Sequence, residues 1–398
     1  MNPSRQPGLL LAVTIVGGIL LAFGRQHSCQ AKPDNHPAGH LGGGEEQRKM
    51  AELATDIKSS SMKVRSTAIK SLYHMCQANE GKDMTVFSPT VEPLVSMIGW
   101  GGIARRESEM AAETLRMIGK PALPALLAAT KAPDARLRWA SAEILTTMRP
   151  MEPTPVSILI PLISDRDPYV RRVSIECLGR LGKDAKEAAP SLQRAMNDSV
   201  PGNRLFCHRT LIQITGEADP HVAQIALYLR DSEPENRQLA ATLLGDCGPS
   251  AKSSWRDLLH CMKDADAQVR INATAALGAI GIRSDEVVSG LIESLESDKE
   301  IEARRAAAAS LGKIGPAARK AVPVLAKILQ EADRQSKGET TGWWVAAEAL
   351  GGIGGEDALQ VLTKTLKNKD PDIRIAAARS IERIRIGRTK EEVNQVKP

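Results

Sequence analysis

From Met50 to about Ile386 apolar residues recur at helical spacing with almost no break. Val288, Leu291, Ile292 and Leu295 stand at i, i+3, i+4 and i+7, one face of a helix. A polar turn follows at Ser297-Asp298-Lys299, and a second run, EARRAAAASLGKI, carries Ala306–Ala309 and Leu311. Gly315 is placed to end that helix and Pro316 to prevent its continuation. Asp285 is the expected N-cap of the first helix. No segment alternates convincingly with period two, so the pattern predicts helices and no sheet.

The pattern is periodic on a longer scale. A landmark Leu near the end of the second helix recurs at Leu72, Leu115, Leu145, Leu178, Leu211, Leu244, Leu277, Leu311 and Leu350, with Ile381 as its last equivalent. From Leu145 to Leu277 the interval is 33 residues four times running, the period of a stacked helix-pair repeat. Pro124, Pro190 and Pro323 lie near the first helix of their units and must either start or kink it.

Charge adds a second register. Seven residues before the landmark stands an Arg: Arg65, Arg138, Arg171, Arg204, Arg237, Arg270, Arg304 and Arg374, with Ser108 and Trp343 as exceptions. Seven residues is nearly two turns, so Arg and Leu share a stripe, and a charge there needs a partner. Four residues before the Arg there is commonly an acid: Asp134, Asp167, Glu233, Asp266, Glu300 and Asp370. At that position it caps the helix and is within reach of the Arg of its own or an adjacent unit. The expectation is a structural Arg–carboxylate ladder joining repeats; a row of Arg for binding anions is the alternative.

The segments DPYVRRVSIECLGRLG, DAQVRINATAALGAIG and DPDIRIAAARSIERI resemble HEAT repeats, of the type also seen in phycobilisome-lyase-like proteins. The resemblance covers roughly Met50 to Gly387. It implies an all-α, right-handed α-solenoid of about ten antiparallel helix pairs, with the second helices lining one curved face. It also implies scaffolding and protein binding, with a few enzymes, but says little about a specific task.

The pattern breaks in three places. An insertion, Asp333–Gly342, precedes Trp343, which replaces the ladder Arg, and Trp344 adjoins it. The long early unit contains IGWGGIARR, with Trp100 among glycines. Pro201-Gly202-Asn203 replaces the acidic turn before Arg204. Insertions in repeat arrays project from an edge, and Trp is enriched at interface hot spots. Trp100, Trp343 and Trp344 are therefore candidate protein-binding residues; filling space in an irregular repeat is the competing explanation.

Composition narrows the function classes. Aromatic residues make up 3% of the chain, which suits helices packed through small side chains. The net charge of +6 arises from 53 basic and 47 acidic residues, interspersed. A nucleic-acid binder would concentrate the basic residues with stacking aromatics, so no nucleic-acid partner is expected. The Cys residues form no CxxC, and buried thiols are the simple reading, with disulfides between repeats the other. His74, His208, His221 and His260 fall in different units, without HExxH or a His-Glu dyad. There is no GxxxxGK[ST] loop, and LGGIGG at 350–355 reads as a helix end. No catalytic, cofactor or metal site is expected; His36 and His40 are too isolated to hold a metal.

Residues 1–31 read as a targeting segment. Arg5 precedes Gly8–Gly24, 17 residues without a charge, and Cys29 and Ala31 place small residues for cleavage after Ala31. An uncleaved membrane anchor is also consistent with that length. Residues 32–48 read as a flexible linker, 49–388 as the repeat array and 389–398 as a polar tail. The expected protein is thus exported, periplasmic or extracellular, with or without a membrane tether. Its expected function is a non-catalytic scaffold for a protein partner of unknown identity. The alternative is a lyase-like or chaperone-type enzyme acting on a cofactor-bearing protein.

Overall fold

A computed structural model describes residues 43–100, 104–148, 155–334 and 343–395. The contiguous body from Gln47 onward is an all-α array of helix pairs, and no strand occurs among the described residues. The first helices are α1 (Gly43–Ile57), α3 (Ser88–Val95), α5 (Leu123–Ala129), α7 (Pro155–Leu162) and α9 (Ala189–Ala195). They continue as α11 (Asp219–Leu227), α13 (Trp255–Cys261), α15 (Asp285–Ser297), α17 (Val322–Arg334) and α19 (Gly355–Thr365). The second helices are α2 (Met62–Ala78), α4 (Arg105–Ile118), α6 (Ala135–Thr147), α8 (Pro168–Leu181) and α10 (Pro201–Thr215). The remaining second helices are α12 (Pro234–Asp246), α14 (Ala267–Ile280), α16 (Ile301–Ile314), α18 (Trp343–Ile353) and α20 (Pro371–Gln395).

From α3 onward each first helix packs on its own second helix, and successive second helices pack on each other. The landmark Leu residues lie at this junction and are buried throughout, with Leu72, Leu115, Leu178, Leu244, Leu277, Leu311 and Leu350 fully so. Small residues set the spacing. A Cβ built on Gly278 would stand 2.4 Å from Ser310 Oγ, and one on Gly312 would stand 2.8 Å from Ala349 Cα. These contacts let α14, α16 and α18 approach backbone to side chain, and they explain why the chain has so few rings in its core.

The local signals act largely as the chain chemistry predicts. The Asp266 carboxylate accepts from Val269 N–H at 2.9 Å, and α14 ends at Gly281 with φ +74°, a left-handed residue whose N–H donates to Leu277 O. Pro124, Pro190 and Pro323 are the second residues of α5, α9 and α17, so they start helices. Ser284, rather than Asp285, caps α15 by accepting from Val287 N–H; Asp285 is instead the first helical residue, where its charge meets the positive helix end.

Two boundaries differ from the sequence reading. Gly43–Arg48 were placed in the flexible linker but form the first turns of α1, with Glu45 and Glu46 favouring its N-terminus. At the other end α20 continues to Gln395, into the segment read as a polar tail; a run of Arg, Lys and Glu without Pro has no reason to stop a helix. The targeting segment 1–31, the remaining linker and most of Asp333–Gly342 lie outside the described residues. Among the described residues no helix is long and apolar enough to cross a membrane.

Candidate interaction surfaces

The ladder is the first structure the charge register builds. Each ladder Arg turns back on its own repeat: Nη1 donates to carbonyls six and, in most repeats, five residues upstream, in the turn before its helix. Arg138 bonds Ala132 O and Pro133 O at 2.8 Å each, and Arg374 bonds Asn368 O and Lys369 O in the same way. The opposite edge of the guanidinium reaches the next repeat. Arg138 grips Asp165, Arg171 grips Asp198, Arg237 grips Asp264 and Arg270 grips Asp298, each through Nε and Nη2 at 2.6–2.9 Å. Such forked bonds fix geometry as well as adding energy.

The carboxylates in these rungs are not the ones the sequence pattern singled out. Asp134 accepts from Arg136, Asp167 from the N–H groups of Tyr169 and Val170, and Asp370 from Asp372 N–H. They hold the helix starts. The rung acid lies two positions earlier and closes its own turn: Asp198 Oδ1 accepts Val200 N–H and Asp298 Oδ1 accepts Glu300 N–H. The signal was present as Asp six residues before Arg171, Arg204, Arg237, Arg270 and Arg304. Only the stacking shows that this Asp serves the preceding Arg.

Burial alone would raise the carboxyl of Asp198, but Arg171, Val200 N–H and Asn203 overcome it and hold it down to about 2. The bond from Arg270 leads in lowering Asp298. Arg204 breaks the series, with Nε on Tyr228 Oη at 2.8 Å, and Arg65 meets Glu107.

A second constellation crosses four successive second helices. On α8, Arg172, Glu176 and Arg180 share one stripe at i, i+4 and i+8. Glu143 of α6 lies 4.0 Å from Arg180, Arg172 lies 3.2 Å from Glu176, and Arg209 of α10 lies 3.3 Å from Asp246 of α12. Burial raises the carboxyls of Glu176 and Asp246 against the pull of these arginines. Three arginines thus face three carboxylates, a mixed stripe rather than a basic one.

Aromatic residues adjoin it. Trp139 of α6 meets Tyr169 edge to face at 5.3 Å. The Arg172 guanidinium lies 4.8 Å from the Tyr169 ring and 5.8 Å from Phe206. Tyr169 is 42% exposed. Trp139 and Arg172 occupy the same register one repeat apart, a column that emerges when the chain is read at its own period.

The Trp candidates are not brought together. Trp100 lies between α3 and α4, beside Gly99, whose φ of +76° and lack of a Cβ let the chain pass Arg136 O. Trp343 begins α18 and packs against the core. Trp344 is 46% exposed with Arg305 stacked at 5.3 Å.

Cys76, Cys177, Cys207, Cys247 and Cys261 are free, and burial pushes Cys76 and Cys207 up to about 12 and the other three to about 11, suppressing thiolate. His208 and His221, separate in the sequence reading, meet through Nδ1 atoms 3.1 Å apart. Burial, with His221 adding to it, lowers His208 to about 4. No group of three or more His, Cys, Asp or Glu among the described residues could hold a metal ion.

The family model described as HEAT repeats matches residues 123–205, 156–245, 220–300, 256–339 and 344–396. Solved structures with similar folds include importin beta, 14% identical, covering 85% of this chain and 54% of its own, with a TM-score of 0.51. The chain therefore spans about half the length of importin beta. The Escherichia coli protein YibA is 18% identical over 69% of this chain and 95% of its own, with a TM-score of 0.46. An engineered protein is 17% identical over 85% of this chain and 99% of its own, with a TM-score of 0.41. No curated protein sequence matches with significance. With the family match spanning most of an array whose helix pairs, Arg rungs and small-residue seams have been laid out above, the chain belongs to the HEAT-repeat proteins.

Proposed function

We propose that this chain is a non-catalytic scaffold that binds a protein partner on the face of its second helices, outside the cytoplasm. The observation that carries the reading is the continuity of Trp139, Tyr169, Arg172 and Phe206 with the stripe from Glu143 to Asp246. Aromatic residues and Arg dominate binding energy at protein interfaces, and here they gather in a chain otherwise poor in rings. The equal numbers of arginines and carboxylates suit a protein surface of mixed charge better than a polyphosphate. The export part of the reading is supported by Arg5 and the uncharged segment Gly8–Gly24.

A photo-crosslinker at Tyr169, compared with one at exposed Leu227 on the first-helix side, tests the face. Specific crosslinks from Tyr169 that vanish with Arg172→Ala support it. Equal labelling from both positions removes it. Mass spectrometry of the mature N-terminus after cell fractionation tests export; a chain beginning at Met1 in the cytosolic fraction would end that part of the reading.

A further inference from the structure

The ladder has a gap where its pattern is interrupted, and the gap is a cleft. Arg304 makes the usual staple to its own turn, with Nη1 bonded to Asp298 O at 2.6 Å and Lys299 O at 3.3 Å. Its Nε–Nη2 edge, the one that holds an aspartate in four other repeats, meets no carboxylate among the described residues. The cause lies in the next repeat. Twenty-seven residues after Arg138, Arg171 and Arg237 the rung aspartate sits in a tight turn. Twenty-seven residues after Arg304 stands Glu331, but α17 runs on to Arg334, so Glu331 is still helical and lies 4.0 Å from Lys327.

Arg304 lines a cleft of about 210 Å³ between α15–α16 and α17–α18. Apolar side chains of Ile301, Val324, Ile328 and Val345 line it together with three cations, Arg304, Arg305 and Lys327, and two carboxylates, Glu296 and Glu331. Arg305, on the wall, is already committed to Glu302 and to the face of Trp344.

We propose that this cleft binds the side-chain carboxylate of an acidic residue in a protein partner, with Arg304 as the forked donor and the apolar walls holding the neighbouring aliphatic residues. The chain itself supplies the precedent in the four forked rungs, where the same guanidinium edge takes a carboxylate in the same seam. The proposal rests on the protein-binding reading, but it concerns a separate surface at the edge of the array. Trp344 would flank the bound segment, which gives that exposed ring a use beyond packing.

The test follows Arg Nε–H NMR signals of the full chain during titration with acetyl-Leu-Glu-Leu-amide. Acetyl-Leu-Gln-Leu-amide and inorganic phosphate serve as comparisons. The Arg304 signal is expected to move toward those of Arg138, Arg171, Arg237 and Arg270. The Glu peptide should bind at least about tenfold more tightly than the Gln peptide, the loss expected when a charge-assisted fork is replaced. Arg304→Gln should abolish the response. Because Arg304 also staples its turn, Lys327→Glu provides a second variant: it is an exposed rim change that should weaken the Glu peptide several-fold and leave thermal unfolding unchanged.

Equal affinity for the two peptides overturns the proposal. So does saturation by phosphate with no further effect of peptide, or an Arg304 signal that already coincides with the four paired arginines and does not move. Loss of this titration with Tyr169 crosslinks intact removes the cleft alone; the reverse result removes the second-helix face alone.

Discussion

The ladder arginine shows how much one side chain decides. Arg270 joins three places: its own turn through Asp264 O and Ala265 O, its own helix, and the next repeat through Asp298. The pair is largely buried, with side chains 14% and 6% exposed. A buried ion pair contributes little over a well-packed apolar pair, but removing one partner strands the other charge. Arg270→Leu is therefore expected to cost about 3–5 kcal/mol in chemical unfolding. The double variant Arg270→Leu/Asp298→Leu should recover part of that loss. If the single variant unfolds like the parent, the rung does not hold the seam.

Asp198 adds a pH dependence of fixed sign. Its carboxyl sits at about 2 in the folded chain, against about 3.9 for a free one. Between these values the unfolded chain takes up a proton that the folded chain refuses. The stability from this rung is thus complete above about pH 4 and lost as pH falls toward 2. Asp198→Asn should be less stable at pH 7, and its stability should change less between pH 4 and 2 than the parent's. Parallel acid limbs for the two proteins would refute this.

At the scale of the element, helix-to-helix distance is set by absence of side chain. Gly278 faces Ser310 so closely that any Cβ must displace it, and Ser310 Oγ is held by a bond to Thr274 O at 2.8 Å. Gly278 lies inside α14, so its backbone is ordinary and the constraint is contact alone. Gly278→Val is expected to destabilise by about 1–3 kcal/mol, as overpacking does, beyond its small effect on helix propensity. Pairing it with Ser310→Gly, which removes both the Oγ and the Cβ 2.6 Å away, should return part of the loss; a larger loss from Gly278→Val on a Ser310→Gly background would mean the seam is not the cause. The Gly and Ala residues of the second helices were visible in the sequence as good helix or C-cap material. Close packing through small side chains was legible as well; which Gly meets which residue of the next repeat was not, because adjacency across repeats is a property of stacking.

At the scale of the molecule, the core of the described residues falls into two contiguous clusters, Met50–Met148 and Ala142–Ile384, which meet at α6. Helix α6 gives Ala140, Ile144 and Leu145 to the first and Ala142 to the second; it packs closely on α8 and only lightly on α4, so the weak seam lies between α4 and α6, within the first cluster. In a repeat array stability is a sum of units and their interfaces, so a weak interface uncouples its two sides. Urea unfolding followed by hydrogen exchange is expected to show two transitions. Leu94→Ala should shift the N-terminal one alone, and Leu277→Ala the other alone, each by about 2–5 kcal/mol. A single transition displaced by both variants would mean the array unfolds as one unit.

The 33-residue period, the paired helices, the glycine stops and the ladder arginines were all legible along the chain, because each is a local preference repeated in register; that the prolines start their helices rather than kink them was decided by the structure. The partner of each arginine was not. Asp165, Asp198, Asp264 and Asp298 reach back to the preceding repeat, a distance fixed by how the pairs stack rather than by any turn of one helix. The same is true of the aromatic and charged stripe, whose members lie about one repeat apart in sequence and side by side in space. Residue spacing therefore determined the repeat and its period. Tertiary packing alone decided which charges meet, which remain at the surface, and that Arg304 lines a cleft where four of its counterparts hold an aspartate.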